Sequence, residues 1–297
     1  MSNEISSFNF GNDGLPMHFL HANGYPPEVY KNLFELLQNQ YHLFGMKLRP
    51  LWDDARIEDV KHWQIFSDDL HRFLSDYEPD SVLGVGHSIG ATVTLRAALQ
   101  NPNKFRALVL LDPVLFVPSF IFTWKIIYGL GLGKRLHPRV ASALKRRKTF
   151  DNLDTLFQGY RTREVFKYMN DESLKNYIQG ITKQKSDGTY ELVFSPEWES
   201  HIYLTGLQDF DIWNNLHKLE LPTLIIRGNE SDTFLENAEK LIKKKNPKIQ
   251  IEVLEKATHI FPLEYPQEVF EKINHFISVT LSQSPERSER ASEGSRK

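Results

Sequence analysis

Cysteine is absent from this 297-residue chain. That absence removes disulfides, thiolate nucleophiles and Cys-based metal sites together, and it fits a reducing compartment. A surplus of either charge is missing too: 36 Lys and Arg stand against 38 Asp and Glu, a net charge of -2. Such a chain has no global field with which to gather a polyanion, so no nucleic-acid partner is expected. Residues 1–7 hold neither a basic start nor an apolar stretch of signal-peptide length, and a cytoplasmic location is expected. Long apolar runs are scarce. The greasiest, residues 115–133, is broken by Pro118 and Lys125 and ends in glycines, whereas a span needs about 20 predominantly apolar residues. A lid or a buried helix pair is expected there, and no stable membrane insertion. There is no Gly-rich phosphate loop, EF-hand loop or H-E-x-x-H helix, so no cofactor and no metal are expected. No repeat of solenoid-like period is present.

What the chain does have is alternation. Short apolar runs at residues 17–20, 41–48, 81–85, 107–111, 224–226 and 249–254 read as strands. Helix-periodic segments at 27–38, 63–77, 91–100, 235–245 and 267–281 separate them. Runs apolar on both faces belong in a parallel sheet covered on both sides, so the fold class is α/β, a mostly parallel central sheet flanked by helices. The regularity breaks after Asp112-Pro113 and resumes near Leu219. Residues 1–113 and 218–281 are therefore read as one core, with 114–217 a helical cap inserted between two sheet strands. Residues 282–297, rich in Ser, Glu and Arg, read as a disordered tail. The basic runs at 145–148 and 243–245 read as solvated helix faces.

Gly86-His87-Ser88-Ile89-Gly90 sits between a strand and a helix, the context in which G-x-S-x-G lifts a serine hydroxyl out of a strained turn. Its two glycines leave room for that turn, and the Ile89 N–H, opening the helix, faces any negative charge forming near the Ser88 oxygen. A serine hydroxyl needs a base, and the base needs an acid to fix its tautomer. Of the 11 histidines, only His259 follows a late strand and precedes the last helix. For the acid, Asp232 is favoured, because Gly228 turns the chain off its strand and brings the carboxylate round toward the His259 loop. Asp112 also ends a strand after Ser88 and competes, although before Pro113 it reads equally as a turn residue. Glu230 is a weaker competitor. A second oxyanion donor is expected from the loop His21-Ala22-Asn23-Gly24, at Asn23 or failing that Ala22. His21 and His87 beside the site, and Phe116 and Trp124 of the cap, are expected to line the substrate pocket.

Taken in order, the His-Ala-Asn-Gly loop, the Ser88 turn, the strand ending Asp112-Pro113, the cap, the Gly228–Asp232 turn and the Ala-Thr-His loop resemble the α/β-hydrolase superfamily, specifically its capped, serine-dependent members. The resemblance runs from Met17 to Leu281. It departs from the common pattern in a short or missing strand pair before Met17 and in Arg49-Pro50-Leu51, where many relatives have Arg-Gly-x-Gly. Haloalkane dehalogenases and epoxide hydrolases resemble the chain in architecture but carry an aspartate at the elbow. The resemblance therefore implies an esterase- or lipase-like serine hydrolase acting on a small, hydrophobic substrate through an acyl-enzyme. The alternatives are carbon–carbon bond hydrolysis on the same triad, or a ligand-binding protein without turnover. Nothing in the residues implies an oligomeric state.

Overall fold

The structure is a computed structural model that describes residues 5–77 and 81–282. The tail expected at 282–297 lies, apart from Ser282, outside the described residues. The central sheet has seven strands: β1 (Ser7–Phe10), β2 (Leu15–Leu20), β3 (Tyr41–Met46), β4 (Val82–His87), β5 (Phe105–Leu111), β9 (Thr223–Gly228) and β10 (Gln250–Leu254), in the spatial order β1-β3-β2-β4-β5-β9-β10. All pairings are parallel except that of β1 with β3. β1 is thus a short antiparallel edge strand, present where the sequence reads as trimmed. The strand expected over 41–48 stops at Met46, because Arg49–Leu51 closes into a 3-10 turn around Pro50.

Each inner strand buries both faces. On β5, Leu108 and Leu110 face one apolar layer, while Ala107, Val109 and Leu111 face the other. The first layer holds α2 (Gln64–Tyr77), α3 (Ile89–Gln100) and α11 (Glu236–Lys245); the second holds α1 (Lys31–Leu37), α12 (Phe261–Glu264) and α13 (Pro266–Ser282). Burial at about 25 cal/mol per Å² of apolar surface holds this sandwich together.

Between β5 and β9 the chain leaves the sheet. It forms α4 (Pro118–Gly129), α5 (Gly133–Leu136), α6 (Pro138–Leu144), α7 (Leu153–Arg161), α8 (Asp171–Ile181), α9 (Pro196–Thr205) and α10 (Phe210–Asn215). It also forms three strands that the sequence reading did not anticipate: β6 (Thr149–Phe150), β7 (Thr182–Gln184) and β8 (Tyr190–Leu192), paired antiparallel in a separate small sheet. Strands of two or three residues are too short to show a period of two.

The strand order positions the site. From β2 the chain moves outward to β3, and from β4 it moves the opposite way to β5, so the order reverses between β2 and β4. In a sheet of this kind the crevice lies beyond the C-terminal ends of the strands flanking such a reversal. Here those ends carry His21–Gly24 and Ser88.

Candidate active site

Ser88 occupies a sharp turn at φ 58 and ψ -122, a left-handed conformation that a residue with a Cβ adopts only at a cost of order 1–3 kcal/mol. Packing around the turn imposes it. A Cβ on Gly86 would stand 2.5 Å from the Gly90 carbonyl carbon, and one on Gly90 would stand 2.0 Å from the Leu20 carbonyl oxygen. Both positions must be glycine, and the second contact presses the start of α3 against the end of β2. The Ser88 N–H donates to Leu111 O at 2.9 Å, and the Ser88 carbonyl accepts from the Thr92 N–H at 3.1 Å.

From that turn a line of hydrogen bonds crosses the sheet. Ser88 Oγ lies 2.9 Å from His259 Nε2, and His259 Nδ1 lies 2.6 Å from Asp112 Oδ2. An ionised carboxylate only accepts, so Nδ1 carries the proton and Nε2 is left to accept from the serine hydroxyl. The Asp112 carboxylate is fully buried and is held by two further donors, the Gly228 N–H at 3.2 Å and the Ser231 hydroxyl. The loop bearing His259 is clamped from the other side, where both oxygens of buried Glu264 accept from Thr258, at 3.0 Å from its N–H and 2.6 Å from its hydroxyl. Burial raises the Glu264 carboxyl above its ordinary range, a pull that the Thr258 hydrogen bonds oppose.

The acid expected at Asp232 is therefore corrected: the residue meeting His259 is Asp112. Asp232 projects outward, its side chain 73% exposed, and pairs with Arg139 of the cap. Glu230 does the same work, accepting from Tyr168 at 2.7 Å and pairing with Lys167 at 2.7 Å. Two facts of topology decide this. β5 lies directly beside β4, so the residue after Leu111 is next to the elbow, whereas β9 lies one strand further out. Asp112 also takes φ 45, the left-handed region in which Asp is among the few tolerated non-glycine residues. That bend turns its carboxylate back over the sheet edge.

On the oxyanion side, the Ala22 N–H is already spent on the Tyr30 hydroxyl, at 3.2 Å, so Ala22 does not offer a donor. The Ala22 carbonyl accepts from His21 Nδ1 at 2.9 Å and from the Tyr25 N–H at 3.2 Å. In a trans peptide the following N–H points opposite to that carbonyl, so the two donors behind Ala22 aim the Asn23 N–H away from themselves. Among the described residues neither the Asn23 N–H nor the Ile89 N–H has an acceptor. The Asn23 side chain reaches upward instead, donating to Glu199 O on α9 at 3.0 Å, and ties this loop to the cap.

The four residues expected to line the pocket do other work. His21 is fully buried, and its Nε2 accepts from the Leu48 N–H at 2.9 Å while Nδ1 donates to Ala22. His87 is also fully buried: Nε2 donates to His259 O at 2.8 Å, and Nδ1 accepts from the Tyr30 hydroxyl at 2.6 Å. Neither ring has a free nitrogen for a substrate. Burial pushes the His21 imidazole down to about 4 and holds His87 well below its ordinary value, the nearby His259 adding to the second effect. Phe116 stacks on Phe120 at 4.8 Å and packs against the apolar layer beneath the cap; Trp124 is buried edge-on against His137 at 5.0 Å. What the reading of the sequence missed is Tyr30. Its hydroxyl joins the Ala22 loop to His87, and His87 joins it to the backbone of His259, so one buried relay spans oxyanion loop, elbow and base. Tyrosine on an apolar helical face gives no signal of that reach.

A sequence profile described as alpha/beta hydrolase family matches residues 19–272. The chain is similar to the proline iminopeptidase of Saccharolobus solfataricus, 23% identical over 209 residues, covering 68% of this chain and 64% of that one. It thus spans less than two thirds of that relative's length. Among solved structures it resembles the M. tuberculosis esterase Rv0045c, with a TM-score of 0.72 at 17% identity, covering 94% of this chain and 90% of that one. It also resembles E-2-(acetamidomethylene)succinate hydrolase, with a TM-score of 0.71 at 18% identity, covering 93% of this chain and 100% of that one. At these identities the structural likeness speaks for the fold.

Proposed function

The chain belongs to the alpha/beta hydrolase family, and from that premise we propose that it is a serine hydrolase cleaving an ester-type bond of a small, hydrophobic acyl substrate. One observation carries the reading: the unbroken line from Ser88 Oγ through the His259 ring to the Asp112 carboxylate, with steps of 2.9 and 2.6 Å.

Ser88 Oγ attacks the substrate carbonyl carbon as its proton passes to His259 Nε2. Asp112 keeps the ring oriented and stabilises the imidazolium that forms. Charge developing on the carbonyl oxygen meets the N–H groups of Ile89 and Asn23, donors already fixed by the start of α3 and by the bonds behind Ala22. His259 then delivers the proton to the leaving group, which departs and leaves an acyl-enzyme. A water, deprotonated by the same ring, attacks the acyl carbon, and its proton returns to Ser88 as the acid leaves. Esters, thioesters and amides differ in the leaving group alone; the name of the iminopeptidase relative and the titles of the two hydrolase structures fall within that range of bonds.

Exposure to a fluorophosphonate probe tests the reading, followed by kcat/KM for nitrophenyl esters of rising chain length beside a thioester, an amide and a diketone. Labelling at Ser88 is expected, lost in Ser88→Ala with the fold retained, together with a loss of about 10⁶ in kcat on the best ester. A folded wild-type chain that neither labels nor turns over any ester contradicts it.

A further inference from the structure

The segment from Pro113 to Phe150 contains no Asp or Glu but eight Lys and Arg, in a chain whose net charge is -2. Four of the eight are paired with acids: Arg139 with Asp232, Arg146 with Glu199, Arg147 with Asp151 and Lys148 with Glu197. Lys125, Lys134, Arg135 and Lys145 are exposed and have no acidic partner among the described residues. The same segment holds eight of the thirteen large apolar side chains that the described residues expose, Phe122 at 59%, Leu130 at 69% and Leu144 at 53% being the most open.

Geometry makes these one face. α4 turns Ile121 and Trp124 inward, while Phe122, Ile126 and Leu130 recur at intervals of four on its outer side, with Lys125 beside them. A helix apolar on both sides is ordinarily covered on both, and the outer side of α4 has no cover. α5 packs between α4 and α6, with Tyr128 lying over Gly133, so the exposed side chains of Leu136 and Leu144 and the free cations at 134, 135 and 145 follow on in the same three-helix layer. An apolar patch of this breadth on a folded chain marks a contact surface.

We propose that the outer face of α4–α6 docks on an anionic lipid bilayer, lying in its interface and not crossing it. Among the described residues no helix is long and apolar enough to cross a membrane. Apolar side chains seated in the acyl boundary, with Lys and Arg stems reaching up to headgroup phosphates, are the chemistry of an interfacial helix. The charge selects this occupant over a second copy of the chain. A two-fold contact sets the same patch on both partners, and it would press the cations at 125, 134, 135 and 145 against their own counterparts. The inner side of the same cap meets the oxyanion loop through Asn23 and Glu199, so docking would place an apolar reservoir on the far side of the layer covering Ser88.

Flotation of the full chain with two kinds of vesicle tests this: phosphatidylcholine alone, and phosphatidylcholine with about 30% phosphatidylserine. Wild type should float with the anionic vesicles and scarcely with the neutral ones. Binding should weaken as salt shortens the Debye length from about 10 Å at 0.1 M to 3 Å at 1 M. Lys134→Gln with Arg135→Gln should weaken it roughly thirtyfold, and Phe122→Ser with Leu130→Ser should abolish it. All four positions are exposed, so near-wild-type melting is expected and serves as the folding control. Ser88→Ala should float as wild type does, which keeps the outcome separate from the catalytic reading. The proposal is overturned if wild type ignores anionic vesicles, if the variants bind as well as wild type, or if sedimentation without lipid shows a dimer, or a complex with an acidic protein, that Leu130→Ser dissolves.

Discussion

Two strand ends, those of β5 and β9, carry acids toward the same rim of the sheet and use them in opposite ways. At the end of β5 a single carboxylate, Asp112, is sealed from water and surrounded by donors from three places: the β9 turn, Ser231 and the His259 ring. At the end of β9 two carboxylates, Glu230 and Asp232, face outward and grip cations of the cap. The β9 turn even serves the β5 acid, lending the Gly228 N–H and the Ser231 hydroxyl. A carboxylate that must stabilise a transient imidazolium needs fixed geometry and a dry setting. One that anchors a lid needs neither, and its worth is limited by solvent.

That contrast makes the widest prediction. Asp112→Asn should lower kcat by about 10⁴ while leaving the fold intact, because the amide presents the wrong hydrogen-bonding partner to His259 Nδ1. A stopped-flow acylation assay with circular dichroism as control would measure it. The next effect concerns acid stability. His18, His21 and His87 are fully buried, and burial depresses all three, to about 3 for His18 and about 4 for His21. Unfolded, each would bind a proton near 6.5, so the unfolded state gains protons that the native state refuses as pH falls below that value. Stability should be full above pH 6.5 and decline toward pH 4, by about 1.4 kcal/mol per histidine for each pH unit. Urea melts across that window measure the slope; a flat profile would mean that the three rings are not neutral in the fold.

A smaller change is expected from Tyr30→Phe. It strips the acceptor from the Ala22 N–H and the donor from His87 Nδ1, leaving two buried groups unpaired at a cost of about 1–3 kcal/mol each. Because the relay ends on the His259 backbone and the Ala22 loop, acylation should slow with little change in KM. The smallest effect belongs to the β9 turn. Asp232→Asn removes an ion pair between partly exposed groups, worth about 0–1 kcal/mol, and should leave kcat within a few-fold of wild type.

The comparison also marks where the sequence could be read and where it could not. Ser88 and the start of α3 were legible because their constraint is local: a strand, two glycines four residues apart and a helix. His259 was legible because only one histidine lies between the last strand and the last helix. The acid was not, since three candidates end or follow strands beyond Ser88, and choosing among them requires knowing which strand abuts β4. Pattern along the chain reports burial and period, not adjacency. His21 and His87 were placed in the pocket for their nearness to the turn, but nearness does not reveal that both nitrogens of each ring are already bonded. Much of the cap stayed opaque for a different reason. Its strands are two or three residues long, and α4 is apolar on both sides, so its inner and outer faces carry the same signal.

The most direct measurement sets Asp112→Asn beside Asp232→Asn in one assay, the rate of fluorophosphonate labelling at Ser88. The account predicts that the first variant labels several orders of magnitude more slowly than wild type and that the second labels almost as fast. Rapid labelling of Asp112→Asn, with Asp232→Asn slow, would contradict it and return the catalytic acid to the β9 turn.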